Sequence, residues 1–170
     1  MNKGTDIRQL ERIIDEWQDS LYSLAFFRLG DEGAAQDIVQ EAFIRFYRES
    51  RQSEILNAKA WLYRTTLNLA TDHLRRRSSI RAVPLSAALD REDESQRLLY
   101  GEYRRIEELL APLSDEQAEV VRLHFTDDLS MAEIADILNL PRDTVKSRYR
   151  YAMEKLKQAF NPTNSHRKKL

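Results

Sequence analysis

The stretch LSMAEIADILNLPRDTVKSR, residues 129–148, decides how this chain folds. Ser130 and Glu133 stand three apart, the spacing of a capping box, so a helix opens just after Ser130. Ala135 is small where a second helix must cross closely, and Asn139 tolerates left-handed backbone angles where the turn needs them. Ile134, Leu138, Leu140 and Val145 supply apolar anchors between the two helices. Pro141 suits the first position of the second helix, where its missing N–H is no loss. Arg142, Thr144, Lys146, Ser147, Arg148 and Arg150 then make the start of that helix polar and basic. This order of features describes a helix-turn-helix whose second helix suits a DNA major groove. Arg and Lys reach guanine edges or phosphates, and Ser and Thr bond either.

C-terminal to this stretch, Val145, Tyr149, Ala152, Met153 and Leu156 keep one apolar face going to about Phe160. Residues 161–170 form a polar, basic tail. N-terminal to it, Ser114 and Gln117 repeat the capping-box spacing and open another helix. Residues 98–110 read as an amphipathic helix stopped by Pro112. The period fails around Pro84, and residues 80–95 read as a flexible linker. Before it, a first helix runs from Asp6 to Leu29 and ends at Gly30. Asp31 caps a second that ends near Ser50, with Ile38, Val39, Ala42, Phe43, Phe46 and Tyr47 on one side. Asn57 caps a third, which contains Trp61, Leu62, Thr65, Leu69 and Leu74 and ends in the arginine run 75–77. The expected fold is all-α: a helical domain over 6–79, the linker, and a second helical domain over 96–160.

Composition agrees. Four Gly and four Pro in 170 residues leave little turn chemistry for strands. The absence of Cys removes disulfides, thiolate metal sites and a cysteine nucleophile. No apolar run approaches the ~20 residues of a membrane span, and the polar start has no signal-peptide core, so the expected compartment is the cytoplasm. The net charge of −1 hides a pattern. Residues 45–81 hold nine basic against three acidic side chains, and residues 142–170 hold nine against two. Two basic blocks with acidic stretches around them point to two phosphate-facing surfaces.

The first basic block mixes aromatics with cations. Trp61, Tyr63, Arg64, Asn68, His73, Arg75, Arg76 and Arg77 lie on or beside one helix, a composition suited to stacking on unpaired bases and neutralising phosphates. The segment 37–48, DIVQEAFIRFYR, resembles the polymerase-binding helix of the group IV, extracytoplasmic-function (ECF) sigma factors of the sigma-70 family. Residues 61–77 resemble their promoter-melting helix, and residues 144–148 their upstream-element reader. The three motifs follow the family's order, and the resemblance covers residues 10–160.

The resemblance implies a fold and roles. A sigma2-like three-helix bundle and a sigma4-like helix-turn-helix domain would make a transcription initiation factor. Asp37, Gln40, Glu41, Ile44 and Arg45 would grip the coiled coil of the polymerase β′ subunit. Residues 49–58 would take a flipped base of the −10 element. Trp61, Tyr63, Arg64, Asn68, His73 and Arg75 to Arg77 would line the melted strand. Arg142, Thr144, Lys146, Ser147, Arg148 and Arg150 would contact the duplex −35 element. The β flap and an anti-sigma factor complete the implied partners. Asp143 departs from the family's frequent Gly; it suits the helix dipole and repels a nearby phosphate.

Other readings make different demands. A response-regulator-like activator would share the helix-turn-helix but need another sigma factor. A module binding an acidic protein would resist DNA competition. An enzyme would have to use His73, His124 or His166, no two of which have metal-ligand spacing. Neither metal nor cofactor is expected.

Overall fold

The computed structural model describes residues 6–79 and 93–161. Among them are seven helices and no strand: α1 Ile7–Leu29, α2 Glu32–Ser50, α3 Ala58–Ser79, α4 Glu94–Leu110, α5 Asp115–Phe125, α6 Met131–Leu138 and α7 Arg142–Phe160. The chain divides into two compact units, Met1–Arg97 and Leu98–Leu170, so the division falls in the first turn of α4.

In the first unit α1, α2 and α3 pack against one another. Each start is fixed by a short polar side chain. Asp6 accepts from the Gln9 N–H at 2.8 Å, Asp31 from that of Ala34 at 2.9 Å, and Asn57 from that of Ala60 at 3.0 Å. Gly30, at φ 62°, turns the chain between α1 and α2 with its N–H on the Phe26 carbonyl at 2.8 Å. The core is Leu21, Leu24 and Phe26 of α1, Ala42, Phe43 and Phe46 of α2, and Leu62, Tyr63 and Leu67 of α3. Each fully buried Leu or Phe contributes about 1.5–3 kcal/mol by area removed from water.

The buried side of α3 differs from the expected one. Ala60, Leu62, Tyr63, Thr66, Leu67 and Ala70 face inward, while Leu74 is 40% exposed and Trp61, Thr65 and Leu69 are half-buried. The helix carries apolar groups on more than one side, and packing against α1 and α2 selects the face one residue round from the one the spacing suggested.

In the second unit α5, α6 and α7 pack together, and the end of α4 joins them through Ile106 and Leu110 against Ala118, Val121 and Ala152. An ion pair between Glu107 and Arg122 ties α4 to α5. Both expected capping boxes form, Ser114 with Gln117 and Ser130 with Glu133. Asn139 adopts φ 52°, ψ 50°, and the following Leu140 N–H returns to the Ala135 carbonyl at 3.0 Å. Val120, Leu123, Leu129, Ile134, Ile137 and Val145 are essentially inaccessible. Ala135 is 8% exposed, and Leu138 and Leu140 are half-buried.

Two boundaries move. α4 begins at Glu94, inside the span read as linker, because Asp93 caps it: its side chain accepts from the Ser95 N–H at 3.0 Å and its carbonyl from that of Arg97 at 3.2 Å. Pro141 sits one position before α7 rather than in it, extended at ψ 140°, with its carbonyl accepting from Thr144 and Val145. Residues 80–92 of the linker and 162–170 of the tail, His166 among them, lie outside the described residues.

Candidate nucleic-acid interface

Three helix surfaces carry the residues singled out in the sequence. On α2 the inner face is taken by Ile38, Val39, Ala42, Phe43 and Phe46. The opposite face therefore presents Asp37, Gln40, Ile44 and Arg45 to water, with Glu41 half-buried. Glu41 and Arg45 pair one turn apart at 2.6 Å. Ile44, 45% exposed, is an apolar residue amid this charge.

The connection from α2 to α3 begins as a hydrogen-bonded turn. The N–H groups of Gln52 and Ser53 both donate to the Glu49 carbonyl at 2.9 Å, and the Ser53 hydroxyl donates to the Glu49 carboxylate. The Arg51 guanidinium bonds the Tyr47 hydroxyl at 3.0 Å and lies 5.7 Å from its ring centre. Beyond the turn, Leu56 is 89% exposed.

On α3, Arg64 and Asn68 share an exposed face one turn apart, and Arg75, Arg76 and Arg77 are all exposed at its end. The Arg75–Asp72 pair, at 3.9 Å and well exposed on both sides, is weak. His73 is half-buried. Trp61 is half-buried with its ring edge-on to Phe46 at 5.5 Å. Tyr63 corrects the expectation that it lines a melted strand. It is 2% exposed and packs edge-on against Trp17 at 6.4 Å. Lys59 places its ammonium 5.0 Å from the Trp17 ring and 5.9 Å from that of Tyr63. Tyr63 therefore joins α1 to α3 as core, and its ring is not available to a base.

On α7, Val145 and Ala152 are wholly buried, which turns Arg142, Lys146 and Arg150 outward. Thr144 and Ser147 are half-buried. Arg148 lies on another side: its Nη2 is 3.1 Å from a Glu116 carboxylate oxygen on α5, and its side chain is 25% exposed. Tyr151, which nothing in the sequence singles out, is half exposed with the Arg150 guanidinium 5.1 Å over its ring. Only the helical phase fixed by Val145 and Ala152 reveals it.

His124 is a half-buried helix residue, with Nδ1 2.8 Å from the Leu129 carbonyl and its ring edge-on to Phe125 and Tyr149. A carbonyl can only accept, so Nδ1 carries the hydrogen. Asp127 and Asp128 occupy the loop that follows. Among the described residues no group of three or more His, Asp or Glu could hold a metal ion, and no helix is long and apolar enough to cross a membrane.

Residues 13–80 match the family model for sigma-70 region 2, and residues 109–158 the model for sigma-70 region 4. The chain is 31% identical over 163 residues to the ECF RNA polymerase sigma factor SigW of Bacillus subtilis strain 168, covering 86% of each chain. Among solved structures it resembles CnrH, solved in complex with the cytosolic domain of CnrY, at a TM-score of 0.68 and 22% identity over 94% of this chain and 92% of that one. It also resembles the sigma factor RpoE of Bartonella quintana, solved with the anti-sigma factor NepR, at a TM-score of 0.64 and 21% identity over 91% and 98%. At these identities the two structures speak for the fold.

Proposed function

The chain belongs to the ECF sigma factors of the sigma-70 family and is a transcription initiation factor; from that premise we propose which of its surfaces does what. The observation that carries the proposal is the pair of outward basic helix faces, one on α3 and one on α7, each set on its own unit.

The exposed face of α2, with Ile44 amid Asp37, Gln40, Glu41 and Arg45, grips the β′ coiled coil of core polymerase. An apolar contact ringed by charge gives both affinity and register. The connection 49–58, with Leu56 standing free of the core, receives a base flipped out of the −10 element. Arg64, Asn68 and Arg75 to Arg77 track the displaced strand; His73 and Trp61 border it. Flipping costs a few kcal/mol and stacking returns about 1–3 kcal/mol per base, so the open form wins only with polymerase and the upstream contact added.

Arg142, Lys146 and Arg150 enter the major groove of the −35 duplex, with Thr144 and Ser147 beside them. Joining two modest DNA contacts through one tether raises the effective concentration of each at its own site. The factor works where polymerase is, in the cytoplasm. Bond making stays with the polymerase, and this chain acts by preferential binding of the open promoter. An anti-sigma protein restrains it by covering the same faces; the similar RpoE was solved bound to one, NepR.

Run-off transcription with purified core polymerase and a genomic promoter library tests this. Transcripts starting downstream of one shared upstream element are expected with this chain as sole added factor. Transcripts that appear only when another sigma factor is supplied would make it an activator instead.

A further inference from the structure

Glu49 stands exposed in the last turn of α2, in a stretch, residues 45–64, with five basic side chains and only two acidic ones. Successive residues turn by about 100° around a helix, so Glu49 lies about 140° round α2 from Ile44. It is not part of the face assigned to polymerase. It follows Phe46 by less than one turn, and the Phe46 ring meets Trp61 of α3 edge-on at 5.5 Å. On α3, Trp61, Arg64 and Asn68 fall within about 60° of one another. Glu49 therefore stands on the α3 side of α2, at the end where the strand-tracking face of α3 begins.

Its backbone and its side chain are both held. The Glu49 carbonyl accepts from the N–H groups of Gln52 and Ser53 at 2.9 Å, and the Ser53 hydroxyl donates to the carboxylate. The neighbouring guanidiniums of Arg45 and Arg51 bond Glu41 and the Tyr47 hydroxyl instead. A carboxylate repels the phosphates of a strand, so its favourable place is opposite a base. When ionised it only accepts hydrogen bonds, and one hydroxyl leaves it further lone pairs. A flipped base is read on its Watson–Crick edge. There adenine and cytosine offer an exocyclic amine, and guanine an amine beside a ring N–H. The single N–H of thymine lies between two carbonyl oxygens, which repel a carboxylate. We propose that Glu49 is the specificity-determining residue for the flipped base, accepting from an exocyclic amine and rejecting thymine, and that Ser53 is the residue that positions it. This rests on the assignment of the connection 49–58 to the flipped base and names the bases it takes.

The test uses the full chain assembled with core polymerase, on a promoter taken from the run-off experiment. The chain has no cysteine, so Gln52→Cys carrying an iron chelate puts a single hydroxyl-radical source on the connection. It should cut the non-template strand within the −10 element. In the same element 2-aminopurine, moved one position at a time, marks the flipped base by its rise in fluorescence. Four promoter versions differing only at that position are then compared for opening. The wild type should open the adenine, cytosine and guanine versions at least about fivefold better than the thymine version, within the range of a base-edge contact. Adenine and thymine there differ only in which way round one base pair stands, so the cost of unpairing is shared. Glu49→Gln, whose amide also donates, should raise the thymine version and lower the other three. Ser53→Ala should reduce the adenine-to-thymine ratio about two- to threefold, and Ser53→Thr, which keeps the hydroxyl, should preserve it.

Each readout is a ratio between promoter versions, so a general loss of active protein cancels. Thymine opened as well as adenine by the wild type would overturn the proposal. So would a Glu49→Gln variant that moves all four versions by one factor, the mark of plain repulsion of the strand. An unchanged ratio in Ser53→Ala would remove the positioning role. Cuts that fall outside the −10 element would take away the assignment of the connection and this proposal with it. Cuts in place, with a base preference indifferent to Glu49, would remove this proposal alone.

Discussion

Arg75, Arg76 and Arg77 stand on the last turns of α3, all exposed, beyond Ala70, the last buried residue of that helix. The cations of α7 are mounted differently. Val145 and Ala152, both wholly buried, clamp the helix on either side of Arg148, Glu116 holds that guanidinium, and Arg150 lies over Tyr151. Under the roles proposed above, exposed charge beyond the packed part of its helix meets the separated strand, and charge on a helix packed along its length meets the duplex. The physical reason lies in the target. A separated strand is pliable and can fold itself around exposed cations, whereas a duplex groove is stiff and rewards side chains already in register.

The largest effect should come from disturbing the fixed surface without touching it. Ile134 is wholly buried in α6, the helix that packs against α5 and α7. Ile134→Ala should cost about 2–5 kcal/mol, lowering the melting of the second unit by roughly 10 °C or more at this size. The chain offers its own separate reporter, since both of its tryptophans, Trp17 and Trp61, lie in the first unit. Circular dichroism of Ile134→Ala should show an early helix loss while tryptophan fluorescence melts as in the wild type. Fluorescence that moves together with the circular dichroism would mean the units unfold as one, and the contrast between them would lose its basis.

The arginine run of α3 should respond to charge and not to shape. Replacing Arg75, Arg76 and Arg77 together by Ala removes up to three phosphate contacts, each worth about 0.7 in salt slope on a single strand. Promoter opening, read as permanganate reactivity of unpaired thymines, should fall sharply while polymerase binding persists. The same three positions changed to Lys should open the promoter nearly as well as the wild type. Failure of the lysine version would show that these arginines make planar contacts after all. Neither version should alter stability by more than about 0.5 kcal/mol, because the sites are exposed.

The contrast also explains what was legible in the sequence. Caps and turns are local, and Asp6, Asp31, Asn57, Ser114, Ser130 and Asn139 each do what a few neighbouring residues demand. The outward set of α2 follows from a single apolar face. On α3 the apolar residues go most of the way round, so spacing could not say that Tyr63 is inside and Leu74 outside; α1, through Trp17, decides that. Arg148 is a case of distance. Nothing near it in the chain announces Glu116, thirty-two residues earlier and brought alongside only when α5 packs on α7. The first turn of α4 buries nothing, so no apolar period marked its beginning.

A smaller effect tests the packing of α3. The Thr66 side chain is wholly buried and its hydroxyl has no hydrogen-bond partner. Valine keeps the branched shape without a polar group to desolvate. Thr66→Val should therefore stabilise the first unit by about 1 kcal/mol, read as a rise in the melting temperature followed by tryptophan fluorescence. A fall instead would show that the hydroxyl has a polar contact that matters.

The smallest effect concerns α4, the helix across which the two units divide. Gly101 lies in its middle, with nothing within 4 Å of where a Cβ would stand, so packing gives no reason for a glycine there. The only fully buried residue of α4 is Leu110, at its far end. The first turns therefore depend on local helix stability, which glycine lowers by about 0.5–1 kcal/mol relative to alanine. In Gly101→Ala the amides of the turns around that residue should exchange with solvent about two- to fivefold more slowly, while the cores of α3 and α7 keep their wild-type protection. Unchanged exchange at those turns would mean that contacts, and not backbone propensity, hold the start of α4. It would then belong with the firmly mounted parts of the molecule rather than with the loosely held ones.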